Sequence, residues 1–508
     1  MELGFLFSAI LLALLPCAFT LLKLGKRSNN NNRASNLPPG PWKLPLIGNL
    51  HNLVGSLPHR GLRDLADEHG PLMHLQLGQI PTVVVSSPEF AKEVMKTHDV
   101  IFASRPQTLP TKIMSYDFTD IIFSPYGDYW RQLRKICVSE LLSTKRVQSF
   151  RSVREGEVSN LINWISSKGG SVINLTDKVY ALMYGITSRA AFRNKSRDQE
   201  AFVSVIEETT KVAAGFNIAD LFPSIGLLQS ITGVRSHVER LHQEADRILE
   251  NIIGEHKKRN ETLKNGKSEE DEDLVDVLLR IQEHGDLELP LSTDNIKAVI
   301  FDIFGAGSET SATTVDWAMS EMMRNPRVLE KAQAEVREIF NRKGKVDETS
   351  IDEMKFLKLV IKETLRLHPP APLLIPRECG ERCEINGFEI PVKARVIVNA
   401  WAIGRNPKYW TDPESFVPER FIDHSVDYKG TNFEYIPFGS GRRICPGMSF
   451  GLASVEVPLA MLLYHFDWRL PNGTDHKDLD MSEAFGVTVR RRQDLSIIPI
   501  PYHPLSLG

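Results

Sequence analysis

The stretch that most restricts the fold is STDNIKAVIFDIFGAGSETSATTVDWAMSEMMR, Ser292 to Arg324. Ser, Thr, Asp and Asn at its start are N-cap residues, and Asn325-Pro326 ends it. The pattern predicts one helix of about 30 residues, long for a globular protein. Its first half is apolar, so it should run through a core rather than across a surface. In its middle lies AGSETS, Ala306 to Ser311. Gly305 and Gly307 each weaken the helix there by roughly 1 kcal/mol against alanine. Glu309 and Thr310 place a carboxylate and a hydroxyl beside that weak point. Two readings follow: a bent helix whose Thr310 bonds its own backbone, or a widened one that admits ligand and water, with acid and hydroxyl handling protons.

The chain of 508 residues is long enough for two or three average domains, or one large enzyme domain with a tail. The N-terminus supplies the tail. Leu3 to Leu22, LGFLFSAILLALLPCAFTLL, is uncharged and about long enough to cross a bilayer as a helix. A cleaved signal would want a basic start, whereas Lys23, Lys26, Arg27 and Arg33 come after the run. A retained anchor over 1–22 is expected, with the downstream chain in the cytosol by the positive-inside rule. The sequons at Asn174, Asn194, Asn260 and Asn472 are then not acceptors. Residues 23–49 hold the spacer SNNNNRASN and the stiff, proline-rich LPPGPWKLPLIGN, read as a linker or a hinge that sets tilt on the membrane.

From residue 50 onward the only further low-complexity break is the acidic NGKSEEDEDL, Asn265 to Leu274, expected as a solvated loop. Strand-like runs are few: LMHLQL near 75, TVVVSS near 84 and ARVIVNA near 397. Helical patterns dominate elsewhere, so residues 50–508 are expected to form one mainly α domain with small β-sheets. A net charge of -3 gives no support for nucleic-acid binding.

Cysteine is sparse: Cys17, Cys137, Cys379, Cys383 and Cys445, with no CxxC pair and no disulfide framework. Cys379 and Cys383 read as reduced thiols, since neither a second pair nor a nearby His joins them. Cys445 stands apart, in PFGSGRRICPGMSFG, where Phe438, Gly441, Arg443, Cys445 and Gly447 fit FxxGxRxCxG. Glycines let backbone amides approach the sulfur, and the helical run behind it puts Cys445 near a helix N-terminus. Both favour thiolate over thiol. Arg443 suits an anionic partner such as a haem propionate, and a shielded, rigid thiolate suits haem iron. In FLKLVIKETLRLHPPAP, Glu363 and Arg366 share a helical face at a spacing that allows an ion pair. Their apolar surroundings suggest burial, which calls for a further partner, and WTDPESFVPERFID offers Arg420.

Together FGSGRRICPG, AGSETS, KETLR and PERF resemble the cytochrome P450 signature set, over essentially the whole chain after the anchor. PPGP and WRQLRK fit the microsomal type, and the wording of LPPGPWKLPLIGN, PFGSGRRICPG and SRPQTLPTKIMSYDFTDIIFSPYGDYWRQLRK is similar to plant family 71, near its D-type terpenoid oxygenases. The resemblance implies a haem-thiolate monooxygenase using O2 and electrons from NADPH through NADPH-cytochrome P450 reductase, anchored in the endoplasmic reticulum membrane. It implies haem b with Cys445 as proximal ligand, whose electron donation favours O–O cleavage. Thr310 and Glu309 would deliver protons, and Ala306 and Gly307 leave room for oxygen. Trp130, Arg134, Arg377, Arg443 and Arg105 would hold propionates, Phe438 belongs to the haem loop, and Glu363, Arg366 and Arg420 form a structural triad.

The resemblance also places the substrate pocket, at Ile113, Met114, Phe118, Ile121 and Phe123; at Asp302 and Ile303; at Ala371, Leu373, Leu374 and Ile375; and at Phe485 and Val487. Nearly all are aliphatic or aromatic, which points to an apolar substrate, a sesqui- or diterpenoid first and a phenylpropanoid, alkaloid or oxime second. A membrane-anchored haem sensor is the competing class. Glu309-Thr310 speaks against it, as does the basic Arg442-Arg443 pair, suited to an acidic electron donor.

Overall fold

The computed structural model describes residues 36–502 except 194–197, 214–216, 263–271, 286, 345–346 and 423–424. The run Leu3–Leu22, the asparagine-rich spacer and the acidic run up to residue 271 lie outside the described residues. The apolar segment forms one uninterrupted α-helix, Thr293–Arg324. It opens on a capping box: Asn295 N donates to Ser292 Oγ at 3.1 Å and Ser292 N to Asn295 Oδ1 at 2.8 Å. This central helix packs mainly against Leu175–Phe192 and Met448–His465. The first of these is capped by Asn174, whose side chain accepts from Asp177 N. That sequon asparagine therefore has a structural use. Met448–His465 is apolar enough and long enough to cross a bilayer by length and composition, yet it is a core helix, buried along most of one side.

The sheets are small. In the four-stranded one, Leu72–Leu77 pairs antiparallel with Ile80–Val85, which pairs parallel with Arg395–Val398, and Arg377–Glu378 closes the edge antiparallel. All three strand-like runs of the sequence are in it. A second sheet, of Ile173–Asn174, Ser496–Pro501 and Phe466–Arg469, carries too short an alternation to be read from sequence. The proline-rich strap lies docked on the first strand. His74 N donates to Pro39 O at 2.8 Å, and the buried Asn49 side chain donates to the carbonyls of Pro41 and Trp42.

Candidate active site

Cys445 sits three residues before the first turn of Met448–His465, whose N-cap is Gly447. The loop closes through Cys445 N donating to Phe438 O at 3.0 Å, with the Phe438 ring edge-on against Tyr428. Gly441 has φ +70°, and a Cβ there would stand 2.0 Å from Met95 O. This glycine answers to a neighbouring segment rather than to the sulfur. Gly447 N–H does donate to the sulfur. Burial nevertheless pushes the Cys445 thiol up, against that amide and Arg134, which pull it down. The backbone donor favours thiolate as expected and desolvation opposes it; a directly bound cation would act on the donor's side.

The central helix passes close by. A Cβ on Gly307 would meet Phe450 Cε1 at 3.6 Å, and one on Gly451 would meet Ser311 Oγ at 3.7 Å. Core burial of this helix lapses between Gly305 and Thr310, where Ala306 is exposed in the middle of the protein. Asp302, Gly305, Ala306, Glu309 and Thr310 share one face and line a cavity. The helix is not widened. Thr310 Oγ1 donates to Ala306 O at 2.7 Å, the backbone bond of the first sequence reading, and small residues rather than a distorted turn provide the space. Glu309 faces the same cavity and accepts from the Tyr184 hydroxyl at 3.4 Å. Burial, reinforced by the charge of Glu207, pushes its carboxyl up to about 7.

The basic residues converge beside the cysteine loop. Arg443 Nε donates to Ala103 O at 2.6 Å, its Nη1 to the carbonyls of Ile121 and Ile122, and its Nη2 to Ser124 O. Its guanidinium lies 4.1 Å from the ring centroid of Trp130, whose Nε1 donates to Ile121 O. Arg105 donates to the carbonyls of Ile122, Ile375 and Pro376, and Arg134 to Ile444 O. Neither Arg105 nor Arg443 has a carboxylate within ion-pair distance among the described residues. Burial, then mutual repulsion with Arg377, presses the Arg443 pKa down to about 9, and Arg105 is pushed down in the same way. Arg377 is paired with Asp99 at 3.1 Å and donates to Ser440 O.

The expected triad is assembled and buried. Glu363 takes both Arg366 and Arg420, with Val417 N as a further donor.

The cavity wall agrees with the sequence at Phe123, Asp302, Ala371, Leu373, Leu374, Ile375, Phe485 and Val487. It departs at Ile113, Met114, Phe118, Ile121 and Ile303, which are not among the lining residues. Leu109–Met114 is a helix that turns Thr108 and Thr111 to the cavity, so Met114 enters the core and Ile113 packs on it. Phe118 sits in a left-handed run with Tyr116 and Asp117. Ile121 is core, and its neighbour Ile122 lines the wall instead. Ile303 lies beyond the Thr310 edge of the helix face and also joins the core. Sequence reasoning missed Ile206, Thr209 and Thr210, contributed by the amphipathic helix Gln199–Val212, which carries no motif.

The family model described as cytochrome P450 matches residues 38–495. The chain is 58% identical to "Cytochrome P450 71D11" of Lotus japonicus over 96% of this chain and 99% of that protein. It is 55% identical to premnaspirodiene oxygenase of Hyoscyamus muticus, over 95% and 96%. It is 58% identical to desmethyl-deoxy-podophyllotoxin synthase of Sinopodophyllum hexandrum, over 98% and 97%. Among solved structures, a zebra fish cytochrome P450 with progesterone superposes with a TM-score of 0.75 at 24% identity, covering 88% of this chain and all of the other.

Proposed function

We propose how this chain, which belongs to the cytochrome P450 family and is a haem-dependent monooxygenase of the plant family 71 type, divides the work among its residues and what it oxidises. The residues suit the cofactor. Ala306 is exposed inside the core, and Arg105 and Arg443 are buried cations with no carboxylate at ion-pair distance among the described residues. Cys445 would bind the iron through its sulfur. Arg105, Arg134 and Arg443 would hold the propionates, with Trp130 beside them, while Arg377 also braces the loop through Ser440. When bound, haem supplies the reduction of O2 and insertion of one oxygen atom into substrate.

The chain's own part is positioning and proton supply. Burial, then Glu207, raises the Glu309 carboxyl to about 7, so that it can hold or release a proton near neutral pH. Thr310 passes a proton between Glu309 and the cavity by rotating its hydroxyl off Ala306 O. Electrons come from NADPH through NADPH-cytochrome P450 reductase, whose acidic surface docks near the half-exposed Arg442 beside the loop. The N-terminal apolar run anchors the enzyme in the endoplasmic reticulum membrane, with the catalytic domain on the cytosolic side.

The substrate is a small apolar molecule, a hydrocarbon or lightly oxidised sesqui- or diterpenoid first. The observation that carries this is the cavity wall: Ile122, Phe123, Leu373, Leu374 and Val487 supply shape, and threonines supply the few hydroxyls. The similarity to premnaspirodiene oxygenase supports a hydrocarbon. The threonines, with the similarity to desmethyl-deoxy-podophyllotoxin synthase, support an oxygenated aromatic as the second reading. The test is an optical titration of the purified haem protein with terpene hydrocarbons, phenolics and alkaloids, read as a low- to high-spin shift of the haem band. A shift with terpenes alone supports the first reading; one with phenolics or alkaloids alone overturns it and leaves the oxygenase intact.

A further inference from the structure

Residues Asp120–Ser124 form a short segment in which the amides of 121–124 and the carbonyls of Ile121, Ile122 and Ser124 are engaged. Its amides point one way. Ile121 N and Ile122 N both donate to Asp302 Oδ2 at 3.1 Å, and Phe123 N and Ser124 N to Asp120 Oδ1 at 3.0 and 2.9 Å. Its carbonyls point the other way, to Trp130 and Arg443 from Ile121, to Arg105 and Arg443 from Ile122, and to Arg443 from Ser124. The segment is a layer of peptide dipoles between two carboxyls and the buried cations. It also presents Ile122 and Phe123 to the substrate cavity.

The two carboxyls are fully desolvated and within hydrogen-bonding reach of each other. Asp120 Oδ2 has no other partner. Two ionised carboxylates in contact without water repel strongly, whereas one proton between them gives a short O–H···O bond. The charge that remains is matched by Arg105 and Arg443 across the segment. The other titratable neighbours are Tyr129 and Cys137, and burial raises both, keeping them neutral.

We propose that Asp120 and Asp302 share one proton and act as a single clamp on residues 121–124, so that the substrate wall and the arginine cluster are set by the same segment. Asp302 is thereby a positioning residue for specificity as well as part of the cavity wall. The proposal leans on the haem-site reading for one readout only.

The experiment uses the haem-loaded full chain and three variants. Asp302→Asn keeps an oxygen for both amides, and its NH2 donates to an ionised Asp120. It should hold haem, and its spin shift with the terpene hydrocarbons should be weakened several-fold less than that of Asp302→Ala. Asp302→Ala leaves two buried amides unpaired and should weaken that shift at least about tenfold. Infrared difference spectra, parent minus Asp302→Asn and parent minus Asp120→Asn, should each show loss of the same protonated-carboxyl band. Absence of that band, or an Asp302→Asn variant as damaged as Asp302→Ala, overturns the clamp. Should Asp302→Ala not accumulate, the two asparagine variants and their spectra decide. The infrared band reports on the carboxyls whatever the arginines hold, so failure of the haem-site reading is seen separately, as normal carboxyl spectra without bound haem.

Discussion

Arg366 donates to Glu363 through Nε and Nη2, at 2.8 Å to each carboxylate oxygen, and both side chains are fully buried. Arg420 Nε reaches the same carboxylate at 2.9 Å. The other Arg366 donors hold the carbonyls of Gly404, Pro413 and Ser415, so the pair ties a helix to the segment leading into the cysteine loop. Removing one partner of such a pair leaves a buried charge uncompensated, at about 3–5 kcal/mol. Glu363→Ala should therefore give little folded, haem-loaded protein and a markedly lower urea midpoint. An unchanged midpoint would mean that the surrounding loops hold themselves.

Cys445→Ser should separate ligation from folding. The loop closes through the backbone bond from residue 445 to Phe438 O, which serine keeps. Circular dichroism should be near that of the parent, while the thiolate signature of the haem absorption spectrum disappears. A thiolate-type spectrum persisting in the variant would place the ligand elsewhere.

What could be read in advance was whatever depends on neighbours in sequence. The central helix is bounded by its own cap and its own proline, the Glu363–Arg366 pair is set by helical spacing, and the cysteine loop carries its residues within ten positions. What stayed hidden depends on distant partners. Asp302 reaches Ile121 and Ile122 across 181 and 180 residues, and that contact fixes which side chain turns to the cavity. Arg377 and Asp99 pair across 278 residues. Thr209 and Thr210 sit on an amphipathic helix whose pattern is that of any surface helix. The resemblance places Met114 and Ile121 in a wall segment, yet their apolar character is equally the mark of core.

The adjacent isoleucines make that distinction measurable. Ile121 is buried in the main core and Ile122 faces the cavity. Ile121→Ala should cost about 2–5 kcal/mol of stability with little change in which compounds shift the haem spectrum. Ile122→Ala should leave the melting temperature nearly unchanged and alter the ranking of those compounds. Equal effects on stability would remove the distinction.

Glu309 gives the enzyme a pH limb of definite sign. Its carboxyl is raised from 4.5 to about 7 in the folded protein, chiefly by burial and then by Glu207. Below 4.5 folded and unfolded chains are both protonated there. Between 4.5 and about 7 the folded chain holds the extra proton, so this group's contribution to stability falls as pH rises, and above about 7 the loss is complete. Proton supply follows the same titration: the fraction of NADPH converted to product should fall as pH rises through about 7. Glu309→Gln should flatten both profiles. Thr310→Ala should retain haem and consume NADPH while losing product at every pH, because it removes the cavity-lining hydroxyl through which the proposed proton path runs. Parallel measurement of NADPH, O2 and product checks this, and full coupling in Thr310→Ala would remove the hydroxyl from the proton path.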